Sequence, residues 1–213
     1  MISAYDSSLH FSACYVYSPR GSGAAARQSR RLRERLKGCD ARWLSRYALR
    51  VREQAIGPDR LGDCFGSDVI LVPVPRSLPS PCEKSWAAME LALALQQHGL
   101  AAAVWAGLRR QRAVRKSATA PGIARPTVAE HYDSFALDAS LRSPVRLVLV
   151  DDVVTKGRTL LAASMRLRER FPRTPLSAFA LVRTLGLVPD IAQLIDPCHG
   201  VIRWTGNDAR REP

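Results

Sequence analysis

A chain of 213 residues is long enough for one or two domains and for a core that needs no disulfide or metal. Its 46% hydrophobic and 24% charged residues are typical of a globular protein and argue against a disordered or fibrous chain. Lysine and arginine outnumber aspartate and glutamate by 32 to 19, so the formal net charge is +13. This excess predicts attraction to phosphate groups, whether on a polynucleotide, a small ligand or an acidic partner.

Cysteine usage and hydropathy bear on the cellular compartment. The five cysteines are widely scattered, and none belongs to a C-x-x-C pair: Cys14, Cys39, Cys64, Cys82 and Cys198. An odd number without zinc-type spacing favours free thiols in a reducing cytosol. The first residues contain no apolar run of signal-peptide length, and the longest apolar stretch, residues 100–108, is too short to cross a bilayer. We therefore expect a cytoplasmic protein that does not enter a membrane.

The most basic segment of the chain is residues 18–60. After a loop at residues 18–23, apolar side chains such as Leu32, Leu36, Leu44 and Val51 recur at helical intervals. This pattern predicts two amphipathic helices that are broken near Gly38. The arginines around them form either a solvated helix face or a surface that binds anions or nucleic acid. We expect residues 1–60 to form a basic N-terminal helical extension that contributes to a small hood.

From residue 68 onwards, apolar runs alternate with helical stretches. The sequence predicts strands at 69–74, 101–106, 145–150 and 177–182, and helices at 84–98 and 159–171. Residues 109–143 are polar and basic, which predicts a long, mobile excursion from the core. Uninterrupted apolar strands separated by helices predict an α/β fold, with a mostly parallel sheet flanked by helices. Residues 61–185 would be this core and residues 186–213 a C-terminal hood or tail.

Two acids directly follow the apolar run at residues 147–150. Asp151 and Asp152 are thereby placed at the carboxyl end of a buried strand, which is where open parallel sheets bind their ligands. Burying two carboxylates without partners is costly. We therefore expect them to accept hydrogen bonds from ligand hydroxyls or to hold a metal-bound ligand.

A tight turn, residues 155–159, follows at the start of the next predicted helix. Gly157 lets the backbone approach a ligand closely, and the amide groups and dipole at a helix N-terminus favour a phosphate. Thr155 and Thr159 add hydroxyl donors. The alternative is an ordinary connection between a strand and a helix, with Thr159 as N-cap.

The whole stretch, L-V-L-V-D-D-V-V-T-K-G-R-T-L at 147–160, resembles the phosphoribosyl pyrophosphate (PRPP) motif of type I phosphoribosyltransferases. Arg33–Lys37 and Val72–Pro75 are similar to elements of the ComF-like subgroup of that family. The resemblance extends over roughly residues 11 to 185. The chain differs from that subgroup in lacking its frequent N-terminal zinc ribbon, and Glu83–Trp86 stand where an R-G-x-N-Q element is usual. The resemblance implies the type I phosphoribosyltransferase fold.

The resemblance also implies roles for individual residues. Asp151 and Asp152 would act in catalysis by gripping the ribose hydroxyls of PRPP, directly or through Mg²⁺. The 5-phosphate would be held by Thr155, Lys156, Gly157, Arg158 and Thr159. Pyrophosphate would be bound by Arg76 and Ser77 after the first core strand, and by Arg125 from the flexible loop at about 109–143. Lys116 from the same loop would assist catalysis by reaching pyrophosphate.

Two classes of function remain open from the sequence. The first is an enzyme that transfers phosphoribose from PRPP to a nitrogen acceptor and releases pyrophosphate with the help of Mg²⁺. The second is a non-catalytic regulatory or accessory protein of the same fold, which would sense PRPP or a nucleotide and act with DNA, RNA or a protein partner. An acceptor base would be selected by the hood, for which the candidate residues are Tyr15, Tyr17, Arg203 and Trp204.

Overall fold

The computed structural model describes residues 8–56, 61–79, 85–115, 125–186 and 190–213, without the side chains of residues 62 and 63. The strands are β1 (Ser8–Tyr17), β2 (Gly66–Pro73), β3 (Ala101–Val104), β4 (Leu108–Arg110), β5 (Phe135–Leu137), β6 (Arg146–Val154), β7 (Leu176–Thr184), β8 (Ile195–Trp204) and β9 (Ala209–Glu212). The α-helices are α1 (Ala24–Lys37), α2 (Ala41–Ile56), α3 (Ala87–Gln97), α4 (Val128–Ser134) and α5 (Arg158–Arg170), and a short 3-10 helix spans Leu61–Cys64.

Seven of these strands form one sheet in the order β3-β2-β6-β7-β1-β8-β9. The five strands from β3 to β1 are parallel, whereas β8 and β9 are antiparallel to their neighbours. The prediction of an α/β fold with a mostly parallel sheet is confirmed. β6 lies at the centre of the parallel part, so the acid pair is in the middle of the sheet edge where ligands bind.

Helices cover both faces of the sheet. On one face, Val148 and Val150 of β6 pack in the same core cluster as apolar side chains of α1, α2 and α3. On the other face, Leu147 and Leu149 pack with side chains of α4 and α5. Because both faces are buried, residues 147–150 of β6 are all apolar, which is the pattern that predicts this strand from the sequence.

The basic N-terminal segment folds as the sequence predicts over most of its length. α1 ends at Lys37 and α2 begins at Ala41, so the predicted break near Gly38 is confirmed. The chain turns there, and Cys39 has a left-handed φ of 51°. Each helix buries one apolar stripe. All four arginines of α2 are exposed, whereas α1 has two exposed and three half-buried arginines.

The ends of the chain differ from the predicted arrangement. β1 was not expected, yet it lies between β7 and β8 and pairs with both. β8 and β9 then complete the sheet beyond β1. Residues 8–17 and 195–212 are therefore parts of the central sheet rather than an appended extension and tail. The signal was weak because β1 mixes serine, histidine and cysteine with its apolar residues.

The segment 109–143 also contains more regular structure than the sequence indicates. β4 pairs with β5 as a two-stranded ribbon, and α4 begins with a capping box in which Thr127 and Glu130 bond each other's backbone amides. His131 and Phe135 are buried. Both ends of the predicted flexible loop thus pack into the core, while residues 116–124, which include Lys116, lie outside the described residues.

Two further expectations concern thiols and membranes. Cys14, Cys39, Cys64 and Cys198 are free thiols, and Cys82 lies outside the described residues. Over the part of the chain that the structure describes, no helix has the length and apolar character needed to span a bilayer.

Candidate functional site

A cavity of about 410 Å³ opens at the carboxyl edge of the parallel strands. Its walls come from the ends of β1, β6 and β7, from one side of α1 and from the first turn of α5. Eight of the residues predicted to bind PRPP or to act in catalysis line it: Arg125, Asp151, Asp152, Thr155, Lys156, Gly157, Arg158 and Thr159. A volume of this size is in the range of small-molecule sites.

The two carboxylates form the most unusual electrostatic feature of the cavity. The backbone amide of Asp152 donates to Oδ1 of Asp151 at 2.9 Å, and that of Val153 donates to Oδ1 of Asp152 at 3.0 Å. Burial and the neighbouring charge of Asp152 raise the pKa of Asp151 well above its usual range, while the Arg110 guanidinium acts in the opposite direction. An acid pair held in this way favours the binding of donors or cations.

Residues 155–159 lead from the end of β6 into the first turn of α5, and we name them the phosphate loop after the predicted ligand. Gly157 is the N-cap of α5 and has a φ of +82°, a left-handed conformation that favours glycine. A Cβ at this position would also lie 2.5 Å from a side-chain carbon of Ile202 in β8. The first intrahelical bond runs from Leu161 N–H to the Gly157 carbonyl at 2.9 Å. The preceding amides at this helix start are unpaired within the helix and suit an anion.

Asp208, which is distant in sequence, forms ion pairs with two side chains of the phosphate loop. This residue lies in the turn between β8 and β9, and its carboxylate accepts from both Nε and Nη2 of Arg158, the latter at 2.7 Å. Lys156 Nζ contacts the same carboxylate at 3.3 Å. The Arg158 hydrogen bonds are the main reason why the pKa of Asp208 lies well below its usual range.

The contact with Asp208 changes what Arg158 can offer a ligand. Its guanidinium is held by Asp208 and also donates to the Pro126 carbonyl at 3.2 Å, so it braces the loop and the start of α4. The backbone amide of Arg158 remains at the first turn of α5. Asp208 was not predicted, because it is 50 residues from Arg158 and an acid in a polar turn is an ordinary sequence feature.

A buried polar chain lies beneath the phosphate loop. Arg110 Nη2 is 3.0 Å from Nδ1 of His131, and Nε2 of His131 is 3.4 Å from the Thr159 hydroxyl. Only 8% of Arg110 and 3% of His131 is exposed. Burial, reinforced by the Arg110 charge, lowers the pKa of His131 to about 4, so its imidazole is neutral near pH 7.

Of the residues predicted to bind pyrophosphate, Arg125 lines the cavity, whereas Arg76 and Ser77 lie outside its wall. Arg76 and Ser77 follow the end of β2. The Arg76 carbonyl accepts from Arg110 Nε at 3.0 Å, and the Ser77 carbonyl accepts from the Val114 amide at 2.8 Å. The charges of Arg76 and Asp152 both act on the pKa of Cys39, whose upward shift comes mainly from burial. Arg76 and Asp152 therefore both lie within electrostatic reach of the Cys39 thiol.

A wall from the N-terminal half of the chain completes the cavity. Tyr17, Arg33 and Lys37 line it, and the Arg33 guanidinium lies 5.4 Å from the centroid of the Tyr17 ring. Four aromatic and basic residues were predicted for acceptor selection, and one of them, Tyr17, is in this wall. Tyr15 is buried in the core. Arg203 and Trp204 of β8 do not line the cavity. The participation of Arg33 and Lys37 in the cavity was not predicted.

The cavity offers a metal ion only part of the ligand set that it requires. Within the described ranges, no group of three or more histidine, cysteine or acidic side chains could hold a metal ion alone. The two adjacent carboxylates offer the oxygen ligands that Mg²⁺ accepts when a phosphorylated substrate and water supply the remainder.

Comparison of the whole chain with known proteins yields no family assignment. No protein-family model matches it, and no curated protein matches it.

Proposed function

We propose that this chain has the type I phosphoribosyltransferase fold of the ComF-like subgroup and that its cavity binds PRPP. One observation carries the proposal: the acid pair and the phosphate loop line a single cavity at the carboxyl edge of a parallel sheet. These two features have complementary preferences, because carboxylates accept from ribose hydroxyls and a helix N-terminus binds a phosphate dianion.

The proposed orientation of PRPP follows from these preferences. Its 5-phosphate would lie against the amides of the phosphate loop and the hydroxyls of Thr155 and Thr159. Its ribose hydroxyls would face Asp151 and Asp152. Pyrophosphate would extend towards the basic side chains of Arg125 and Arg76, and Lys116, which follows β4 in the sequence, is proposed as a further contact.

The proposed reaction is a transfer of phosphoribose to a nitrogen acceptor. The bond between ribose C1 and the pyrophosphate oxygen breaks, and its electron pair leaves with pyrophosphate. The acceptor nitrogen forms a new bond to C1 and loses its proton to pyrophosphate or solvent. The carboxylates of Asp151 and Asp152 would stabilise the positive charge that develops on the ribose, because a bound cation favours the ionised form of Asp151 and offsets its raised pKa.

The cofactor of this proposal is Mg²⁺. The carboxylates of Asp151 and Asp152 would hold it together with oxygens of PRPP, in agreement with its preference for few protein ligands. When bound, it would supply neutralisation of the leaving pyrophosphate charge.

The acceptor would occupy the part of the cavity lined by Tyr17, Arg33 and Lys37. Tyr17 presents an aromatic surface on which a base can stack. Arg33 and Lys37, one helical turn apart on α1, place positive charge on the same side.

A pyrophosphate-release assay tests catalysis. PRPP, Mg²⁺ and a panel of nitrogenous bases and amines are incubated with the wild type, Asp152→Asn and Asp133→Asn, a matched control whose acid lies on α4 outside the cavity. We expect release with at least one acceptor, a loss of about 100-fold or more in Asp152→Asn, and no loss in the control. Absence of release from the wild type, despite PRPP binding, would support a non-catalytic protein of the same fold.

A second candidate function is favoured by the outer surface of α1 and α2. The guanidinium carbon of Arg35 lies 3.3 Å from the centroid of the Trp43 ring, and that of Arg46 lies 5.0 Å from it. Basic side chains around a partly exposed aromatic ring suit the phosphates and bases of single-stranded nucleic acid. We propose this surface as the site through which a regulatory or accessory protein of this fold would act on DNA or RNA.

Fluorescence anisotropy with a short single-stranded oligonucleotide tests this second candidate. We expect binding that weakens steeply between about 50 and about 200 mM salt. Arg46→Glu should weaken it, whereas Arg173→Glu, the same change of charge at an exposed position after α5, should have much less effect. Equal effects of the two variants would contradict a defined site on α1 and α2.

A further inference from the structure

The buried chain of Arg110, His131 and Thr159 fixes the proton on a histidine ring. Arginine has N–H donors and no acceptor, so the Arg110 Nη2 contact at 3.0 Å requires Nδ1 of His131 to be the acceptor. A neutral imidazole with an acceptor at Nδ1 carries its proton on Nε2. Nε2–H therefore donates to the Thr159 hydroxyl oxygen, which lies 3.4 Å away.

The direction of that bond determines what the Thr159 hydroxyl can do. A hydroxyl group has one hydrogen, and the Thr159 oxygen is already the acceptor for His131. Its own hydrogen is then available to another acceptor, and Thr159 lines the cavity within the phosphate loop. The histidine in this arrangement selects the donor role of the hydroxyl.

We propose that Arg110 and His131 are positioning residues that set the Thr159 hydroxyl as a hydrogen-bond donor towards a phosphate group in the cavity. The inference rests on the proposed function, because it assigns that phosphate to the ligand's 5-phosphate. The proposed function does not include these two residues, which lie 49 and 28 positions before Thr159 and act on the ligand without touching it.

Arg110 is held firmly enough for this role. Its Nε donates to the Arg76 carbonyl at 3.0 Å, its Nη1 contacts the Ser134 hydroxyl, and its guanidinium carbon lies 4.0 Å from the centroid of the Phe135 ring. Burial lowers the pKa of Arg110 to about 10, so the guanidinium keeps its charge near neutral pH and stays a donor to His131. The same side chain therefore links the loop after β2 to the phosphate loop.

The first test measures the tautomer of His131 in the ligand-free wild type. Nitrogen-15 NMR distinguishes protonated from unprotonated ring nitrogens, and His131→Gln identifies the signals of this ring among the four histidines. We expect Nδ1 without and Nε2 with a proton throughout the neutral pH range. A proton on Nδ1, or a charged ring at pH 7, would overturn the inference without affecting the proposed function.

The second test is a double-mutant cycle with ribose 5-phosphate, which carries the 5-phosphate without pyrophosphate. We expect Thr159→Val and His131→Phe each to weaken its binding by about tenfold, and the double variant to be no weaker than either single one. Thr159→Ser and His131→Gln serve as conservative variants, because serine keeps the hydroxyl and glutamine offers both an acceptor and a donor. Both should retain most of the affinity.

The outcomes of the cycle separate the two proposals. Independent, multiplicative losses in the double variant would mean that His131 does not act through the Thr159 hydroxyl, which overturns the inference. Wild-type protein that binds neither ribose 5-phosphate nor PRPP would overturn the proposed function and the inference together. Circular dichroism of each variant checks that a loss of binding is not a loss of fold.

Discussion

The cavity contains two regions that are built in different ways. The acid pair and the phosphate loop come from nine consecutive positions, 151–159, whereas the side chains that hold the loop are Arg110, His131, Ile202 and Asp208. The first region offers groups to a ligand, and the second determines where those groups point. A short motif can therefore supply the contacts of a site while distant parts of the fold supply its geometry.

The two regions also differ in how far their side chains are exposed to solvent. Thr155 and Lys156 of the loop are exposed, while Arg110, His131 and Ile202 are buried. Changes at the exposed loop positions Thr155 and Lys156 should chiefly alter ligand binding. Changes in the buried supports, and at the buried Gly157 that Ile202 contacts, should also alter the free energy of unfolding.

The largest effect on stability is expected at the contact between the two regions. Gly157→Ala forces a side chain into a backbone with a φ of +82° and places its Cβ 2.5 Å from Ile202. We expect a loss of about 4 kcal/mol in the free energy of unfolding, from left-handed strain and overpacking together. Urea unfolding of the wild type and the variant measures it.

Gly99→Ala is the matched control for that substitution. Gly99 has a φ of +76°, but a Cβ there meets nothing within 4 Å. The control should lose only about 1 kcal/mol, which is the cost of the backbone conformation alone. Equal losses at the two glycines would show that β8 does not press on the phosphate loop.

The next effect concerns the pH dependence of stability. Burial lowers the pKa of His131 from 6.5 to about 4, so between these values the unfolded chain binds more protons than the folded one. The free energy of unfolding should therefore rise with pH over this range, by up to about 3 kcal/mol from this residue. Unfolding of the wild type and His131→Gln across the range measures the contribution. A wild-type curve with the same slope as the variant would contradict a neutral, buried His131.

A smaller effect is expected at the turn between β8 and β9. Asp208→Asn removes the charge that holds Arg158 and Lys156, and we expect a loss of about 1–2 kcal/mol, because the pair is partly buried and bidentate. Glu212→Gln is a control in the same hairpin, where the ion pairs with Arg203 and Arg210 are exposed and should contribute about 0.5 kcal/mol or less. Thermal unfolding of both variants provides the comparison, and a larger loss at Glu212 would contradict it.

The difference between the two regions also explains what the sequence could predict. The apolar run 147–150 and the groups at 151–159 are contiguous, so one local pattern revealed β6, the turn and the start of α5. Arg110 and Asp208 carried no such signal, since a basic residue in a basic segment and an acid in a polar turn are both usually solvated. Their roles follow from tertiary contacts at separations of 21 and 50 residues from their partners.

A similar explanation applies to β1, the strand that the sequence analysis does not predict. Ser12 lies inside it and is 1% exposed, which is tolerated because its hydroxyl bonds Nδ1 of His199 in β8 at 2.8 Å. A buried serine whose partner is 187 residues away weakens the apolar pattern that identifies a strand. The placement of β1 in the sheet depends on that partner and on pairing with β7, neither of which is local information.

Calorimetric titration of PRPP into the protein with Mg²⁺ tests the central claim most directly, with Asp152→Asn measured beside the wild type. We expect micromolar binding to the wild type and a loss of about 100-fold or more in the variant, because the acid pair and the phosphate loop would grip one ligand. Absence of binding to the wild type, or equal binding by the variant, would contradict a PRPP site at this cavity.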